Sequence, residues 1–361
     1  TSGSGEKVYD GTALTNGTVT VGGADGFADG EGATYDVTGS QTDVGESDNK
    51  FTYTLNKGTK ADNYEITKTE GKLKVTAATA EVVVTITENS GTVTYNGSEQ
   101  SVTGYKVTNI SNNLYKESDF KFTGTAEVKG TDAGTYNMEL KPSDFANISD
   151  NFSNVKFVIV DGTLTISKRE VTLTSATDSK VYDGTALTND TVTVSGDGFA
   201  KDEGATYNVT GAQTNVGKSN NTFTYTLNEG TKEKNYTISK TEGELEVKAA
   251  TDEVVVTITE HSGTAKYDGA EHKVEGYDVT KISNSLYKAT DFTFNGSAEV
   301  KGTDAGTYNM ELKASDFTNT NANFSKVKFV IVDGTLTISK REVTLTSATD
   351  SKVYDGTALT N

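Results

Sequence analysis

The chain of 361 residues has no cysteine, no tryptophan, one proline and two histidines. Without cysteine there are no disulfides, no zinc–thiolate centres and no thiol nucleophile. Basic residues are scarce: 33 Lys and Arg against 51 Asp and Glu leave a formal charge of −18. That balance argues against nucleic acid and against an anionic membrane surface as partners. Long apolar runs are missing too, and no stretch approaches the ~20 residues of a membrane-spanning helix. No segment keeps a three-four apolar spacing over three turns, which excludes amphipathic helices as the building material. Only 33 % of residues are hydrophobic, as expected where each element buries one face and shows Thr, Lys and Glu on the other.

What is present is repetition. The segment KVYDGTALTN begins at Lys7, at Lys180 and at Lys352, and residues 155–189 and 327–361 are identical over 35 positions. The interval far exceeds the ~20–50 residues of a solenoid repeat, and it divides into two modules. Type A carries YDGT, then residues 33–45, then FTYTLN from Phe51 and GKLKV from Gly71. Type B carries TYNGSEQ from Thr94, FTGTAEVKGTDAGTYNMEL from Phe122 and VKFVIVDGTLTI from Val155. Their features follow the same order, so A and B read as diverged copies of one module. The expected division is type A over 1–77 without its first strand, type B over 78–167, type A over 168–249, type B over 250–339, and the start of a further type A over 340–361. Length alone allows two to four domains at ~100–200 residues each.

Period two dominates locally. In residues 81–88, Val82, Val84 and Ile86 share one face and Val83, Thr85 and Thr87 the other. FTYTL, TLTIS and REVTLTS alternate in the same way, which is the pattern of half-buried strands. Gly, Asn and Asp clusters interrupt every 8–12 residues, as in a sandwich of about seven strands per module. Strands of ~10–12 residues would make each sandwich on the order of 40 Å long. The Asp-Gly and Asn-Gly pairs at Gly11, Gly97, Gly162 and Gly184 are expected to supply the positive φ of tight hairpins. The joints at 75–83, 247–255, 166–172 and 338–344 contain no proline and no glycine run. Strand residues continue through them, which predicts a stiff, extended rod.

The order Tyr-Asn/Asp-Gly, then D-A-G-T-Y, then a Gly shortly before the last strand resembles the MBG repeats, immunoglobulin-like modules arranged in tandem in large bacterial surface adhesins. Type B, with TYNGSEQ, GTDAGTYNMEL and DGTLTI, is the closer match, and type A is looser. The resemblance implies an all-β chain of tandem immunoglobulin-like sandwiches, displayed extracellularly on a bacterial surface. It carries over no binding residue.

Duplication provides an internal control on chemistry. His261 and His272 both lie in the second type B module, where the first has Asn89 and Gln100. A histidine-based site used by every module is therefore excluded. No nucleophile-elbow, metalloprotease, P-loop or dinucleotide motif is present, so the chain reads as no enzyme, with no catalytic, cofactor or metal residues. Asp25, Asp29 and Glu31, answered by Asp197, Asp202 and Glu203, offer the oxygens of a calcium loop. Their spacing changes between copies and the calcium-loop motif is absent, so they read as solvated loops. Lys7, Lys180 and Lys352 lack an asparagine on the final strands with which to form an isopeptide bond, and read as surface lysines. The Asn-x-Ser/Thr sequons at Asn16, Asn96, Asn147, Asn151, Asn208, Asn235 and Asn323 are attributed to composition.

The function expected from these features is structural: a stalk or filament segment of a large bacterial surface or extracellular protein, whose partners are neighbouring repeat modules. The alternative is a set of weak modules that grip host glycan or protein by avidity, with Tyr105, Tyr115, Tyr277 and Tyr287 as the candidate exposed rings; their other reading is half-buried sandwich residues. The ends raise a third partner. The first type A module lacks the REVTL strand that its sister takes from residues 169–173, and residues 341–345 carry that strand with no module to join. Head-to-tail strand exchange between chains would satisfy both ends. The register of Thr1 and Ser2 with the repeat favours instead a longer polypeptide with a covalent neighbour.

Overall fold

A computed structural model describes all 361 residues. The chain is all-β: 33 strands, no α-helix and five three-residue 3-10 turns.

The period-two runs become the centres of sheets. In the first type B module, Val82–Glu88 lies between Val155–Val160, to which it is parallel, and Tyr105–Ile110, to which it is antiparallel with a bulge after Thr85. Thr163–Ser167 likewise sits between Gly91–Thr94, parallel, and Gly134–Asn137, antiparallel. Two antiparallel pairs complete the module, Gln100–Thr103 with Glu127–Gly130 and Phe120–Phe122 with Phe145–Asn147. The second type B module repeats this pairing. There the expected inward residues Val254, Val256 and Ile258 pack with Leu336 and Ile338 in one core, alongside Phe292, Phe317 and Phe329. Each such side chain contributes ~1.5–3 kcal/mol when taken fully out of water.

Each type B module also buries a glutamate. Glu88 is buried and accepts the backbone N–H of Leu140 and of Gly162, both at 2.6 Å. Glu260 does the same for Leu312 and Gly334, at 2.6 and 2.7 Å. The two oxygens take up amides that no strand partner satisfies.

Three expectations need correction. The strands are shorter and more numerous: ten in each type B module and eight in the second type A, with none longer than the seven residues of Val82–Glu88, Arg169–Ser175 and Val254–Glu260. The Asp/Asn-Gly turns do not close hairpins, because the strands on either side belong to different sheets. Gly11, Gly97 and Gly184 do have φ of 75°, 83° and 82°, but Gly162 has no positive φ. Gly162 is needed for proximity, since a Cβ there would sit 2.3 Å from the Asn89 carbonyl oxygen.

The second type A module places Arg169–Ser175 between Val192–Gly196 and Tyr236–Thr241. Val171 and Leu173 on that strand are 1 % and 0 % exposed. The first type A module has only five strands, Gly5–Val8, Ala33–Val37, Gly45–Asn49, Phe51–Leu55 and Gly71–Thr76. The segments equivalent to Val192–Gly196 and Tyr236–Thr241 form no strand there. Residues 340–361 contain no strand.

By packing, the chain forms two units. One comprises residues 1–171 with the loops 197–204 and 229–237; the other comprises 172–196, 205–228 and 238–361. The loops 197–204 and 229–237 of the second type A module thus belong with the preceding type B module.

Candidate functional site at the module joints

Side chains that recur from module to module meet at the joints. The Tyr-Asp-Gly loop shows why. Lys7 Nζ reaches Asp10 Oδ1 at 2.7 Å, and that oxygen also accepts the Thr12 backbone N–H at 2.9 Å and its Oγ1 hydroxyl at 2.7 Å. Lys180, Asp183 and Thr185 repeat the arrangement, at 2.8, 2.9 and 2.7 Å. The hydrogen bond from the lysine, joined by the threonine, holds both Asp carboxyls well below the usual carboxylate range. The loop is therefore fixed by its own residues, leaving Tyr and Gly to face the next module.

At the first joint, Tyr9 meets Phe152 of the type B module edge-on, centroids 5.4 Å apart at 79°. Leu114 sits over Gly11, where a Cβ would come within 2.8 Å of it. Asn151 closes the joint: its Oδ1 accepts the Val44 N–H at 2.8 Å and its Nδ2 donates to Asp43 Oδ1 at 3.0 Å. In the other unit, Tyr182 meets Phe324 at 5.5 Å and 80°, and Leu286 covers Gly184 at 2.7 Å. Asn323 clamps Val216 N–H at 2.7 Å and Asn215 at 3.1 Å.

The joint from type B to type A uses the same parts. Tyr95 of the Tyr-Asn-Gly turn meets Tyr236 edge-on at 5.7 Å and 82°. Asn235 accepts the Ala133 N–H at 2.8 Å and donates to Asp132 at 3.0 Å. So at each of the three joints, an Asn-Phe/Tyr pair of one module seizes a Thr-Asp/Asn-x-Gly turn and a turn tyrosine of the module before it. Edge-to-face rings are worth ~0.5–1.5 kcal/mol beyond burial.

The type B to type A joint adds charge. Glu203 accepts the Tyr236 hydroxyl at 2.6 Å on one oxygen and the Tyr95 hydroxyl on the other. Burial, then the hydrogen bond to Glu203, pushes the Tyr95 hydroxyl up to about 12, and Tyr236 is raised by the same causes. Asp132 faces Lys234 at 2.8 Å and Lys232 at 3.1 Å. The bond from Lys234, then that from Asn235, holds its carboxyl far below the usual range. Only Lys168 separates Thr163–Ser167 from Arg169–Ser175, and Arg169 donates to the carbonyls of Tyr95 at 3.1 Å and Gly198 at 2.9 Å.

The residues singled out in the sequence are placed as follows. Tyr115 and Tyr287 are buried, each bonding Asn147 or Asn319 at 3.0 Å, and burial raises both to about 12. Tyr105 and Tyr277 are half-buried among phenylalanines. These four are therefore not exposed ligand platforms. His261 bonds the Glu275 carbonyl at 2.8 Å and His272 bonds Asp268 at 2.9 Å, and they do not meet. Glu31 accepts the Tyr64 hydroxyl at 2.5 Å and Asp197 accepts the Glu170 N–H at 3.0 Å. Glu203 bonds the Tyr95 and Tyr236 hydroxyls at the joint, so these three acids are not simply solvated loop residues; no group of three or more Asp, Glu or His side chains is arranged to hold a metal. Lys7 and Lys180 are not free surface lysines but loop staples. The sequons at Asn151, Asn235 and Asn323 are not compositional accidents: their asparagines are the clamps.

Comparison with known proteins agrees with this organisation. Residues 82–168 and 254–340 match the MBG domain, and residues 167–243 match the YDG domain. Type A is thus its own kind of domain rather than a looser MBG repeat, and its match takes in the strand Arg169–Ser175. No curated protein matches the chain. Similar solved structures include the I9–I11 tandem of titin, at 8 % identity and a TM-score of 0.18 over 72 % of this chain and all of that one. They also include the N-terminal eight immunoglobulin domains of the Down syndrome cell adhesion molecule, at 11 % identity and a TM-score of 0.17. That match takes in 93 % of this chain and 53 % of the other. The chain thus carries two MBG domains with a YDG domain between them.

Proposed function

We propose that the chain is a stalk segment of a large bacterial cell-surface or extracellular adhesin-like protein, holding a distal part away from the cell. It is not an enzyme on this reading, and its partners are its own neighbouring modules. The observation that carries the reading is the reuse of one joint, Asn clamp plus edge-to-face rings, at three successive module boundaries. Side chains invested in fixing one module on the next suit a spacer. A chain of independent binding modules needs no such joint and gains from flexible links.

The test is a binding survey of the purified chain against glycans and extracellular-matrix proteins, with a single type B module as comparison. The stalk reading expects no saturable binding. Saturable binding that strengthens from one module to two would replace it with the avidity reading.

A further inference from the structure

In the first type B module the segment by which the chain enters lies beside the segment by which it leaves. Val82–Glu88 and then Gly91–Thr94 run parallel to Val155–Val160 and then Thr163–Ser167. Six residues pair in the first stretch, from Val82 with Val155 to Thr87 with Val160, and four in the second, from Gly91 with Leu164 to Thr94 with Ser167. The contact continues past both stretches. Ala78 bridges Phe152 in parallel, its N–H donates to the Asn151 carbonyl at 3.0 Å, and Tyr95 N–H donates to the Ser167 carbonyl at 2.9 Å. The overlap therefore spans residues 78–95 on one side and 151–167 on the other.

Between the two stretches both segments cross from one sheet to the other, and the backbone ladder stops. Side chains take over there. Glu88 Oε2 accepts Gly162 N–H at 2.6 Å, and Ser90 Oγ accepts Thr163 N–H at 3.0 Å. The second type B module repeats the whole arrangement. Val254–Glu260 and Gly263–Lys266 run parallel to Val327–Val332 and Thr335–Ser339, and Ala250 bridges Phe324. Glu260 and Ser262 accept the N–H groups of Gly334 and Thr335 at 2.7 and 3.1 Å. A Cβ on Gly334 would sit 2.3 Å from the His261 carbonyl oxygen, as one on Gly162 would from that of Asn89, so the segments touch at the crossing. The second type A module pairs Asp178–Val181 in parallel with Leu245–Lys248, and puts Ser175 and Thr177 where the glutamate and serine stand.

We propose that each type B module is a lap splice that bears tension, with Glu88 and Glu260 as its locking side chains. Tension along the chain draws the entering segment back toward its start and the leaving segment on toward its end. Parallel neighbours drawn in those opposite directions are sheared, so the bonds along the overlap carry the load together and fail together. Neighbours gripped at one end would instead peel, each bond bearing the whole load in turn. The glutamate bridges the one break in the overlap, and a hydrogen bond to a charged acceptor is among the strong ones. The use of such a splice rests on the stalk reading, because a spacer held at one end and loaded at the other carries tension through its modules.

The experiment holds the 361-residue chain in optical tweezers by engineered cysteines, of which it has none of its own. Asp252→Cys with Lys340→Cys loads the second type B module along its own chain path, in shear. Ala270→Cys with Lys340→Cys grips the parallel pair Gly263–Lys266 and Thr335–Ser339 at one end and peels it. All three positions are exposed. At equal constant load the sheared module should last at least ~100-fold longer, since a net hydrogen bond is worth ~2- to 10-fold in rate and several must break at once. Glu260→Gln, which keeps one acceptor, should shorten the sheared lifetime at least ~10-fold. It should leave the peeled lifetime unchanged, because peeling starts at Ser339 and not at Gly334. Ser262→Ala, at an exposed bond to the same crossing, should shorten the sheared lifetime alone by at least ~2-fold and serves if Glu260→Gln does not fold. Equal lifetimes in the two directions, or variants that shorten both alike, would overturn the proposal. Neither result depends on glycan binding, so failure here leaves the stalk reading to its own survey.

Discussion

Replacing Tyr95 by Phe removes one hydroxyl from the joint between the first type B module and the loops that follow it. The ring stays, so the edge-on contact with Tyr236 is kept. What is lost is the bond to Glu203, leaving one carboxylate oxygen with only its second partner on the other oxygen, the Tyr236 hydroxyl at 2.6 Å. A hydrogen bond to a charged group contributes ~1.5–3 kcal/mol to stability. The reading predicts a loss of that size, felt by the loop 197–204 and not by the module as a whole. The assay is native-state hydrogen exchange at the Ala200 amide, which donates to the Tyr236 hydroxyl at 3.0 Å. Its protection should fall about ten- to 150-fold, the equivalent of that free energy. The Val44 amide, held by Asn151 at the other joint of the same unit, should not change. Glu203→Gln combined with Tyr95→Phe should cost less than the sum of the two, because both remove one bond. Unchanged protection at Ala200, or an equal fall at Ala200 and Val44, would refute the local clamp.

Leu173→Ala should destabilise the second type A module by ~2–5 kcal/mol, seen as a lower first transition in denaturant, while Leu345→Ala, at an exposed position, should leave the transitions of the monomer in place. Glu88→Ala orphans two buried amides, Leu140 and Gly162, at ~1–3 kcal/mol each, so the first type B module should unfold earlier in a thermal scan; Glu88→Gln, which keeps one acceptor, should lose less. The depressed Asp132 carboxyl gives a pH dependence of known sign. Its contribution is complete above the unfolded carboxyl value of ~3.9 and is lost as pH falls from there toward the much lower folded value. Exchange at Ala133 should therefore quicken below about pH 4 in the parent chain and should show no such step in Asp132→Asn.

Strand faces were legible because burial writes a period of two directly into the residues: Val82, Val84 and Ile86 turn inward as their alternation requires. The turn glycines were legible where the backbone needs positive φ, and misread at Gly162, where what excludes a side chain is the nearby Asn89 carbonyl. The joints were not legible. Asn151 bonds a turn 107 residues earlier in the chain and Asn235 one 102 residues earlier, and no local pattern reports a partner so distant. A signal was nonetheless present. Asn-Phe/Tyr recurs at Asn63, Asn151, Asn235 and Asn323, and Thr-Asp/Asn-x-Gly recurs at Thr42, Thr131, Thr214 and Thr303, one of each per module. Read as sequons, the asparagines looked like composition; aligned across modules, they mark an interface.

The central claim is that a repeated joint fixes one module on the next, and native-state hydrogen exchange at the three clamped amides, Val44, Ala133 and Val216, tests it most directly. The account predicts that each amide is protected in the parent chain and that Asn151→Ala, Asn235→Ala and Asn323→Ala each release its own amide and leave the other two unchanged. Amides that stay protected without their own asparagine, or that exchange as freely in the parent chain as in the variants, would contradict it.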